Sequence, residues 1–408
     1  GPRAWASAGR CRDTRAGSRG CLQPLRRGAL AASAMEHRLE SLERALAEQG
    51  ALLKRRIDGV EAHLGDVIRR QGLLQEDHDA VCSRLSAAGL LPPPPAGGSS
   101  APAGATPLPA LGTLTSTEPV QAPSGVYVCG GHASGATLAG VDRFSPEAGR
   151  WEPLPSMPTP RHGCAAAAVA GVLYVFGGAN DGGLPLATAE RLDPLAGRWE
   201  RLPSLPTARH GSACATVAGM LYVLGGYDGE GVLAAAERFD PVVGRWEVLK
   251  RMPTARGRCA AAACEGLAYA LGGADDDGHE LSSVERFDPG LGLWIALPPM
   301  PTARCGCAAA FAGGVLYALG GRSGSDKLPV AERYSPASGR WEAISAMPTA
   351  RDGCAAAAAS GIVFVFGGRG RGQTLHSAEC YDPRTGKWEQ LAAMPQARCG
   401  CAAAEAGS

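Results

Sequence analysis

The sequence has no excess of charge of either sign. Forty Lys and Arg residues stand against 39 Asp and Glu residues, which gives a formal net charge of +1 at pH 7. A surface this balanced exerts no general attraction on the phosphates of nucleic acid or on anionic lipid headgroups. We therefore expect neither nucleic acid nor a membrane among the partners.

Long apolar runs are also lacking, and aromatic residues make up only 5% of the chain. The longest runs, such as CAAAAVAGVLYVF at 164–176, fall short of the ~18 residues that a membrane-spanning helix needs. Glycine, in contrast, is abundant at 57 residues. This composition favours tight turns and closely packed strands over a helical bundle, and it predicts a soluble protein.

Cysteine is too sparse for a disulfide-stapled scaffold, with 14 residues in a chain of 408. Most of the cysteines recur at one repeat position rather than in framework spacings, and we find no charged-then-apolar secretory signal. We expect free thiols in a reducing compartment, and hence a cytoplasmic location.

The first part of the chain divides into three segments. Residues 1–34 carry seven arginines and a single acid, Asp13, which is typical of a disordered tail or translated leader, or alternatively of an organelle transit segment. Residues 35–90 have helix periodicity, and residues 91–123 are rich in Pro, Gly, Ser and Thr, which predicts a disordered linker.

The helical segment carries an apolar residue at every seventh position. The column is Leu39, Leu46, Leu53, Val60, Val67, Leu74 and Val81. A stripe sustained over this many heptads predicts an amphipathic helix or coiled coil that self-associates; a surface helix without a partner is the alternative.

From about residue 124 to the end the sequence repeats every 47 or 48 residues. Gly-Gly pairs begin at Gly130, Gly177, Gly225, Gly272, Gly320 and Gly367. An acid and an aromatic residue follow each pair, with Leu192 the one departure from the aromatic, and a tryptophan stands seven residues later. The tryptophans are Trp151, Trp199, Trp246, Trp294, Trp341 and Trp388, and ten residues beyond each is an arginine: Arg161, Arg209, Arg256, Arg304, Arg351 and Arg398.

This pattern resembles the kelch repeat, and the resemblance implies an all-β fold, a six-bladed propeller spanning 124–408. Each unit is expected to supply four strands, a to d from the channel outwards, with the small-residue run as the crowded innermost strand a. The repeat region begins with strand b of blade 1 and its last unit stops after a strand a, so we expect the C-terminal strand to complete blade 1. We interpret the repeated arginines and the repeated acids, Asp142, Glu190, Glu237, Glu285, Glu332 and Glu379, as paired structural charges.

The extra residue of the longer units falls between the Gly-Gly pair and the aromatic, in the b–c loop, because the remaining spacings are constant. In kelch propellers the b–c and d–a loops share the face that binds partners. The residues that we predict for partner binding in the b–c loops are His132, Asn180, Asp228, Asp275, Asp276, Asp277, Arg322, Arg369 and Arg371. Ordinary solvated loops are the alternative reading.

Arg258 completes the predicted partner-binding set. It lies two residues after a repeated arginine, where the other five units have glycine. A guanidinium there offers a fork of donors to a partner carboxylate.

The positions just after the repeated arginines hold further polar residues, among them Asp352, Cys399, His162 and His210. Zinc accepts such donors, so these four are the candidates for a metal site, although small residues at the crowded innermost strands explain the pattern without one. We expect no cofactor.

These features favour a non-catalytic module that binds a protein or peptide. The resemblance to kelch-like adaptors suggests substrate recognition for a ubiquitin ligase, although residues 35–90 are too short for the BTB–BACK region of those adaptors. An actin-binding scaffold is the alternative within the same class. A galactose-oxidase-like copper enzyme is the alternative from another class, but that propeller has seven blades, and here several tyrosines fall in strand b as core residues.

Overall fold

The computed structural model describes residues 125–406. These residues form six four-stranded antiparallel sheets arranged as the blades of a β-propeller, and every element among them is a strand. The prediction of an all-β, six-bladed propeller is therefore confirmed. The predictions for residues 1–34, 35–90 and 91–123 lie outside the described residues.

The strands follow the repeat unit by unit. Those of blades 1 and 2 are, in chain order, β1 (Gly125–Cys129), β2 (His132–Ala133), β3 (Ala136–Thr137), β4 (Val141–Ser145), β5 (Arg150–Leu154), β6 (Ala165–Val169), β7 (Val172–Phe176), β8 (Ala189–Asp193) and β9 (Arg198–Leu202). Those of blades 3 and 4 are β10 (Ala213–Val217), β11 (Met220–Leu224), β12 (Ala236–Asp240), β13 (Arg245–Val248), β14 (Ala260–Cys264), β15 (Leu267–Leu271), β16 (Val284–Asp288) and β17 (Leu293–Leu297). The remaining strands are β18 (Ala308–Ala312), β19 (Val315–Leu319), β20 (Arg322–Ser323), β21 (Asp326–Lys327), β22 (Ala331–Ser335), β23 (Arg340–Ala343), β24 (Ala355–Ala359), β25 (Ile362–Phe366), β26 (Arg369–Gly370), β27 (Gln373–Thr374), β28 (Ala378–Asp382), β29 (Lys387–Gln390) and β30 (Ala402–Ala406).

The propeller closes through its last strand. Strand β30 pairs with β1 over five residue pairs, from Gly125 opposite Ala406 to Cys129 opposite Ala402, and so supplies strand a of blade 1. No blade is left incomplete, as the sequence predicts.

Short side chains and tight turns allow six strands to crowd around the axis. The a–b hairpin of blade 2 turns at Ala170 and Gly171, whose φ angles are 49° and 77°; a two-residue turn with both φ values positive matches the right-handed twist of the flanking strands. Strand a itself is nearly all alanine, as in AAAAV of β6 and AAAAA of β24.

The repeated tryptophans and aromatics fill the wider space between blades. Phe144 and Trp151 pack with Phe366 of blade 6, and the rings of Trp151 and Phe366 have centroids 5.5 Å apart. The Trp151 indole N–H also donates to the carbonyl of Ala392, 2.9 Å away, at the end of blade 6. The other five tryptophans make the same hydrogen bond to the preceding blade.

The repeated arginines and acids pair inside each blade, as the sequence predicts. The pairs are Arg161–Glu190, Arg209–Glu237, Arg256–Glu285, Arg304–Glu332, Arg351–Glu379 and Arg398–Asp142, with N–O distances of 2.5–3.3 Å. Each arginine also donates to the carbonyl of the first glycine of its blade's Gly-Gly pair, as Arg256 does to Gly272 at 2.8 Å. The arginine therefore ties the d–a loop to the b–c loop, and the acid neutralises its buried charge.

A closed ring of backbone hydrogen bonds joins all six blades at the end of the channel where the d–a loops lie. We call it the amide ring; its members are Gly163, Gly211, Arg258, Gly306, Gly353 and Gly400. Each N–H donates to the carbonyl of the member in the preceding blade at 2.7–2.8 Å.

Within residues 125–406, no helix reaches the length and hydropathy that crossing a membrane requires.

Candidate functional site

The channel widens into a cavity at each end, and the two cavities differ in chemistry. The larger, about 820 Å³, is lined mainly by the alanines of the six innermost strands. The smaller, about 460 Å³, lies at the end that carries the b–c and d–a loops. We take this second cavity, the channel mouth, as the candidate site because polar side chains that are not repeated from blade to blade gather there.

The side chains of the mouth come from two loops of each blade. The histidines and charged residues that line it are His132, His162, His210, Asp181, Asp352, Arg258 and Arg369. Isolated β-bridges hold the two loops together, for example His162 with Ala179 and Asp352 with Arg369. The b–c loops of blades 1, 5 and 6 form the short hairpins β2–β3, β20–β21 and β26–β27.

Arg258 spans one side of the mouth. It replaces a glycine of the amide ring and keeps a glycine-like φ of 54°. Its Nη2 donates to both carboxylate oxygens of Asp352, at 2.9 and 3.1 Å. The pair passes over Gly306, where a Cβ would lie 2.1 Å from Asp352 Oδ1. The ion pair between Arg258 and Asp352 therefore crosses over blade 5, and Arg258 already has a carboxylate partner within the chain. A contact between Arg258 and a partner protein remains a prediction.

Histidines line the opposite side of the mouth. The rings of His132 and His162 meet edge to face with centroids 5.7 Å apart, and His162 Nδ1 lies 3.3 Å from the Thr137 hydroxyl. His210 packs against Tyr227 in the same way at 5.4 Å.

Burial sets the protonation of two of these histidines. It lowers the pKa of His162, and the neighbouring His132 lowers it further while Asp181 opposes the shift. Burial also lowers the pKa of His210, with His162 and Arg258 acting in the same direction. Both imidazoles are thus neutral near pH 7 and present one donor and one acceptor each.

Several of the predicted binding acids organise their own loops. Asp228 Oδ1 accepts from the N–H groups of Glu230 and Gly231, and Asp275 Oδ1 accepts from that of His279. Asn180 Oδ1 accepts from the N–H of Leu184. The Asp228 contact is an Asx-type turn, in which a short polar side chain replaces a backbone acceptor. The Asp275 and Asn180 contacts close their loops four residues further along the chain.

Two aspartates link neighbouring loops instead. Asp276 Oδ1 accepts from the N–H of Val232 in blade 3, and Asp181 Oδ1 accepts from that of Thr137 in blade 1, both at 2.6 Å. These two bonds connect the b–c loops of blades 3 and 4 and those of blades 1 and 2.

Of the predicted basic residues in the b–c loops, Arg369 lines the mouth, and Arg322 and Arg371 lie outside its lining. Arg322 approaches Glu280 at 3.6 Å and donates to the Gly324 carbonyl. Arg369 Nη2 lies 3.9 Å from Cys399 Sγ, so it lines the mouth itself. Arg371 is exposed in its loop with a φ of 41°.

The four metal candidates line the mouth but do not meet at one point. Among the described residues, Asp275, Asp277 and His279 form the one group of three such donors whose ligand atoms lie within 4.8 Å of each other. Asp352 is instead bound to Arg258, and Cys399 Sγ donates to the His132 carbonyl at 3.4 Å. The Asp275 group lies on the loop exterior, where acidic clusters are common without an ion; its Asp-x-Asp-x-His spacing is the sequence signal that identifies His279.

Burial holds four of the thiols beneath the mouth in their protonated form. Burial raises the pKa of Cys307, Cys354 and Cys401 to about 12. Burial raises the pKa of Cys259 as well. Nucleophilic cysteine chemistry needs a thiolate in an electropositive and accessible environment, which these four residues lack.

Comparison with known proteins gives matches to one family. Residues 117–321 match the family model described as "KLHDC2/KLHL20/DRC7 Kelch-repeats domain", and residues 303–348 and 350–395 each match the Kelch motif.

Two curated relatives are from Arabidopsis thaliana. F-box/kelch-repeat protein At5g26960 and F-box/kelch-repeat protein At1g67480 are each 42% identical over 57 residues, which is 14% of this chain. The aligned part covers 14% and 15% of the respective relatives, so the likeness spans a small fraction of their length. The solved structure of YjhT superposes with a TM-score of 0.55 at 16% identity, over 65% of this chain and 96% of that one; at this identity the likeness shows the fold alone.

Proposed function

The chain belongs to the kelch-repeat family, and on that premise we propose that its propeller is a non-catalytic module that binds a protein or peptide partner at the channel mouth. Kelch propellers generally bind proteins. We further propose which face of the propeller binds the partner, which residues contact it and what biological role the binding serves.

One observation supports the proposal most directly: the polar residues that differ from blade to blade line one cavity, the channel mouth. Residues present in every blade, such as the buried arginines, serve the scaffold. The mouth instead combines three histidines, two arginines and two aspartates from different blades, in a cavity of about 460 Å³. Non-repeated chemistry on loops held by a rigid scaffold is how such folds carry recognition.

The electrostatics suit a partner segment of mixed charge. Asp352 neutralises Arg258 across one side, while the neutral His162 and His210 offer hydrogen bonds on the other. A partner that enters the mouth thus meets paired charges and polar rings, which give specificity and orientation more than raw affinity.

The test is proximity labelling in cells with the full chain as bait, comparing the wild type with a mouth variant, His162→Ala with His210→Ala. The matched control is Arg384→Ala, in an exposed c–d turn at the other end of the blades. We expect the mouth variant to lose a set of labelled proteins that the control retains. Equal labelling by all three proteins would refute the proposal.

The same labelling experiment distinguishes two possible biological roles, substrate recognition for a ubiquitin ligase and binding to actin. We propose substrate recognition within a ubiquitin ligase as the first of these, supported by the similarity to relatives named F-box/kelch-repeat proteins. Cullin subunits among the labelled proteins would support it. Labelling of actin and its associated proteins without a cullin would favour the cytoskeletal alternative.

A further inference from the structure

A row of three residues crosses the outer strands of most blades. A tyrosine of strand b, an arginine of strand c and a glutamate of strand d stand side by side on one face of the sheet. The complete rows are Tyr127–Arg143–Glu152, Tyr174–Arg191–Glu200, Tyr222–Arg238–Glu247 and Tyr317–Arg333–Glu342. In all four the arginine and the glutamate form an ion pair.

Blade 4 breaks this row at the glutamate. Its members are Tyr269, Arg286 and Ile295. Leu293, two residues earlier on the same strand, stands where the other blades have arginine or lysine. Strand β17 thus presents apolar side chains where the other five outer strands carry a basic residue followed by an acid.

Arg286 is consequently left without an acid. Its guanidinium contacts the Tyr269 phenol. Within residues 125–406, no ion pair to Arg286 is present, and its buried Nε has no hydrogen-bond partner. A buried donor of a charged group that lacks its partner carries a desolvation penalty, which a carboxylate brought by another molecule would remove.

The strand beside Arg286 is also open to pairing. Strand β17 is the last strand of its sheet, so one edge of its backbone is unpaired among the described residues. Leu293 is 44% exposed and Ile295 36% exposed. In the described part of the chain, every exposed large apolar side chain falls between residues 184 and 295, in blades 2 to 4.

We propose that the outer edge of blade 4 is a second docking site, which takes an extended segment of a partner protein carrying one acidic residue among apolar ones. The segment adds a fifth strand to β17. Its apolar side chains cover Leu293 and Ile295, and its carboxylate reaches over Ile295 to Arg286.

Charge complementarity selects this occupant over a second copy of the chain. Edge-to-edge pairing of two β17 strands would bring together LWIAL and LWIAL, which contain no acid. Neighbouring strands lie about 4.8 Å apart, so a residue on the added strand opposite Ile295 is about two strand spacings from Arg286, within the combined reach of an arginine and a glutamate side chain.

The test uses the full chain and a defined probe, the acetylated and amidated heptapeptide Thr-Val-Thr-Glu-Thr-Val-Thr, whose valines flank the glutamate on one face of an extended strand, with binding followed by calorimetry. We expect the same peptide with Gln in place of Glu to bind about tenfold more weakly, because it lacks the charge-assisted contact. Ile295→Glu restores the row of the other blades and should abolish binding while leaving the melting temperature at or above that of the wild type.

A gain-of-function variant is the matched control. Arg340→Leu with Glu342→Ile gives blade 5 the same apolar edge beside Arg333, and it should add a second binding site of similar affinity. Absence of binding to the wild type, equal binding by the Gln peptide, or binding unaffected by Ile295→Glu would overturn the proposal. Concentration-dependent association of the wild type that Ile295→Glu removes would show that a second copy occupies the edge, which also overturns it.

Discussion

Arg258 shows how one residue can leave the repeat consensus at little cost to the fold. A non-glycine residue in the left-handed region costs about 1–2 kcal/mol, and a partly exposed ion pair such as Arg258–Asp352 contributes about 0–1 kcal/mol. The amide ring needs only the backbone N–H and carbonyl of this position. The stabilising and destabilising effects nearly cancel, so the fold does not require an arginine at this position.

We predict that Arg258→Gly changes the free energy of unfolding by less than about 1 kcal/mol, since the loss of the ion pair and the relief of the backbone strain offset each other. The same variant should weaken capture of partners at the mouth. Arg256→Ala is the control: it leaves the buried Glu285 without its cation and should cost about 3–5 kcal/mol. Denaturant unfolding of the full chain measures both variants, and equal destabilisation by the two would contradict this account of Arg258.

His162 and His210 make stability depend on pH. Their pKa values lie below the usual 6.5 because of burial, so the folded protein binds fewer protons than the unfolded chain once the pH falls below that value. Stability is therefore fully present above about pH 6.5 and declines as the pH falls toward the folded pKa values.

We predict that replacing both with glutamine flattens the decline between about pH 7 and pH 5. Urea unfolding of the full chain at several pH values measures the slope. The variant His132→Gln removes one cause of the lowered His162 pKa and should flatten the decline less. An unchanged slope in the double variant would mean that other groups set the pH dependence.

The contacts of individual residues could be predicted from the sequence only where the repeat dictates them. The buried arginine–acid pairs recur at fixed spacing in every unit, so their pairing could be inferred. Arg258 and Asp352 are 94 residues apart and meet across the channel, and the bond from Val232 to Asp276 depends on how two adjacent loops lean together. Neither contact has a periodic signal.

At the scale of the element, strand β30 closes the ring of six blades. It pairs with β1 along its full length and lies between the innermost strands β6 and β24. The loop before it supplies Arg398 to Asp142 and Gly400 to the amide ring. Losing the strand would expose the edge of β1 and uncover Tyr127 and Cys129, which are now fully buried.

We predict that deleting residues 396–408 makes the protein insoluble or lowers its melting temperature by more than 10 °C, on the order of several kcal/mol in a domain of this size. A chain that ends at Ala406 is the control and should melt like the parent. Differential scanning fluorimetry compares the three proteins, and a truncated chain that melts normally would refute closure by β30.

The strands themselves were the most predictable part of the molecule. The constant spacing from aromatic to arginine to Gly-Gly fixes strands a to d in every unit, and the strand a left over after the sixth unit is the one that closes the ring. The departure at Leu293 and Ile295 is visible in the same alignment of units, but its meaning depends on knowing that Arg286 lies beside Ile295 on one face. Cross-strand register supplies that knowledge, and sequence spacing alone does not.

At the scale of the whole molecule, the heptad column of residues 35–90 adds a prediction that lies outside the described residues. We expect the full chain to self-associate through this segment, since an apolar stripe at seven-residue spacing needs a partner. Light scattering should show an oligomer for the wild type and a monomer for the variant Leu53→Lys with Val60→Lys. A monomeric wild type would leave the stripe as a surface helix or as a site for another protein.

The amide ring has a consequence for how the propeller comes apart. Open arrays of repeats have end units, which fray first, and their stability is close to a sum over neighbours. Here each of the six amides is held by the preceding blade, so the array has no end from which opening can spread. We predict that the N–H groups of Gly163, Gly211, Arg258, Gly306, Gly353 and Gly400 exchange with solvent deuterons through one common opening, whose free energy is that of global unfolding. Native-state exchange read by mass spectrometry would contradict this if the opening free energy declined from blade to blade; a shared value would mean that the six blades open as one cooperative unit.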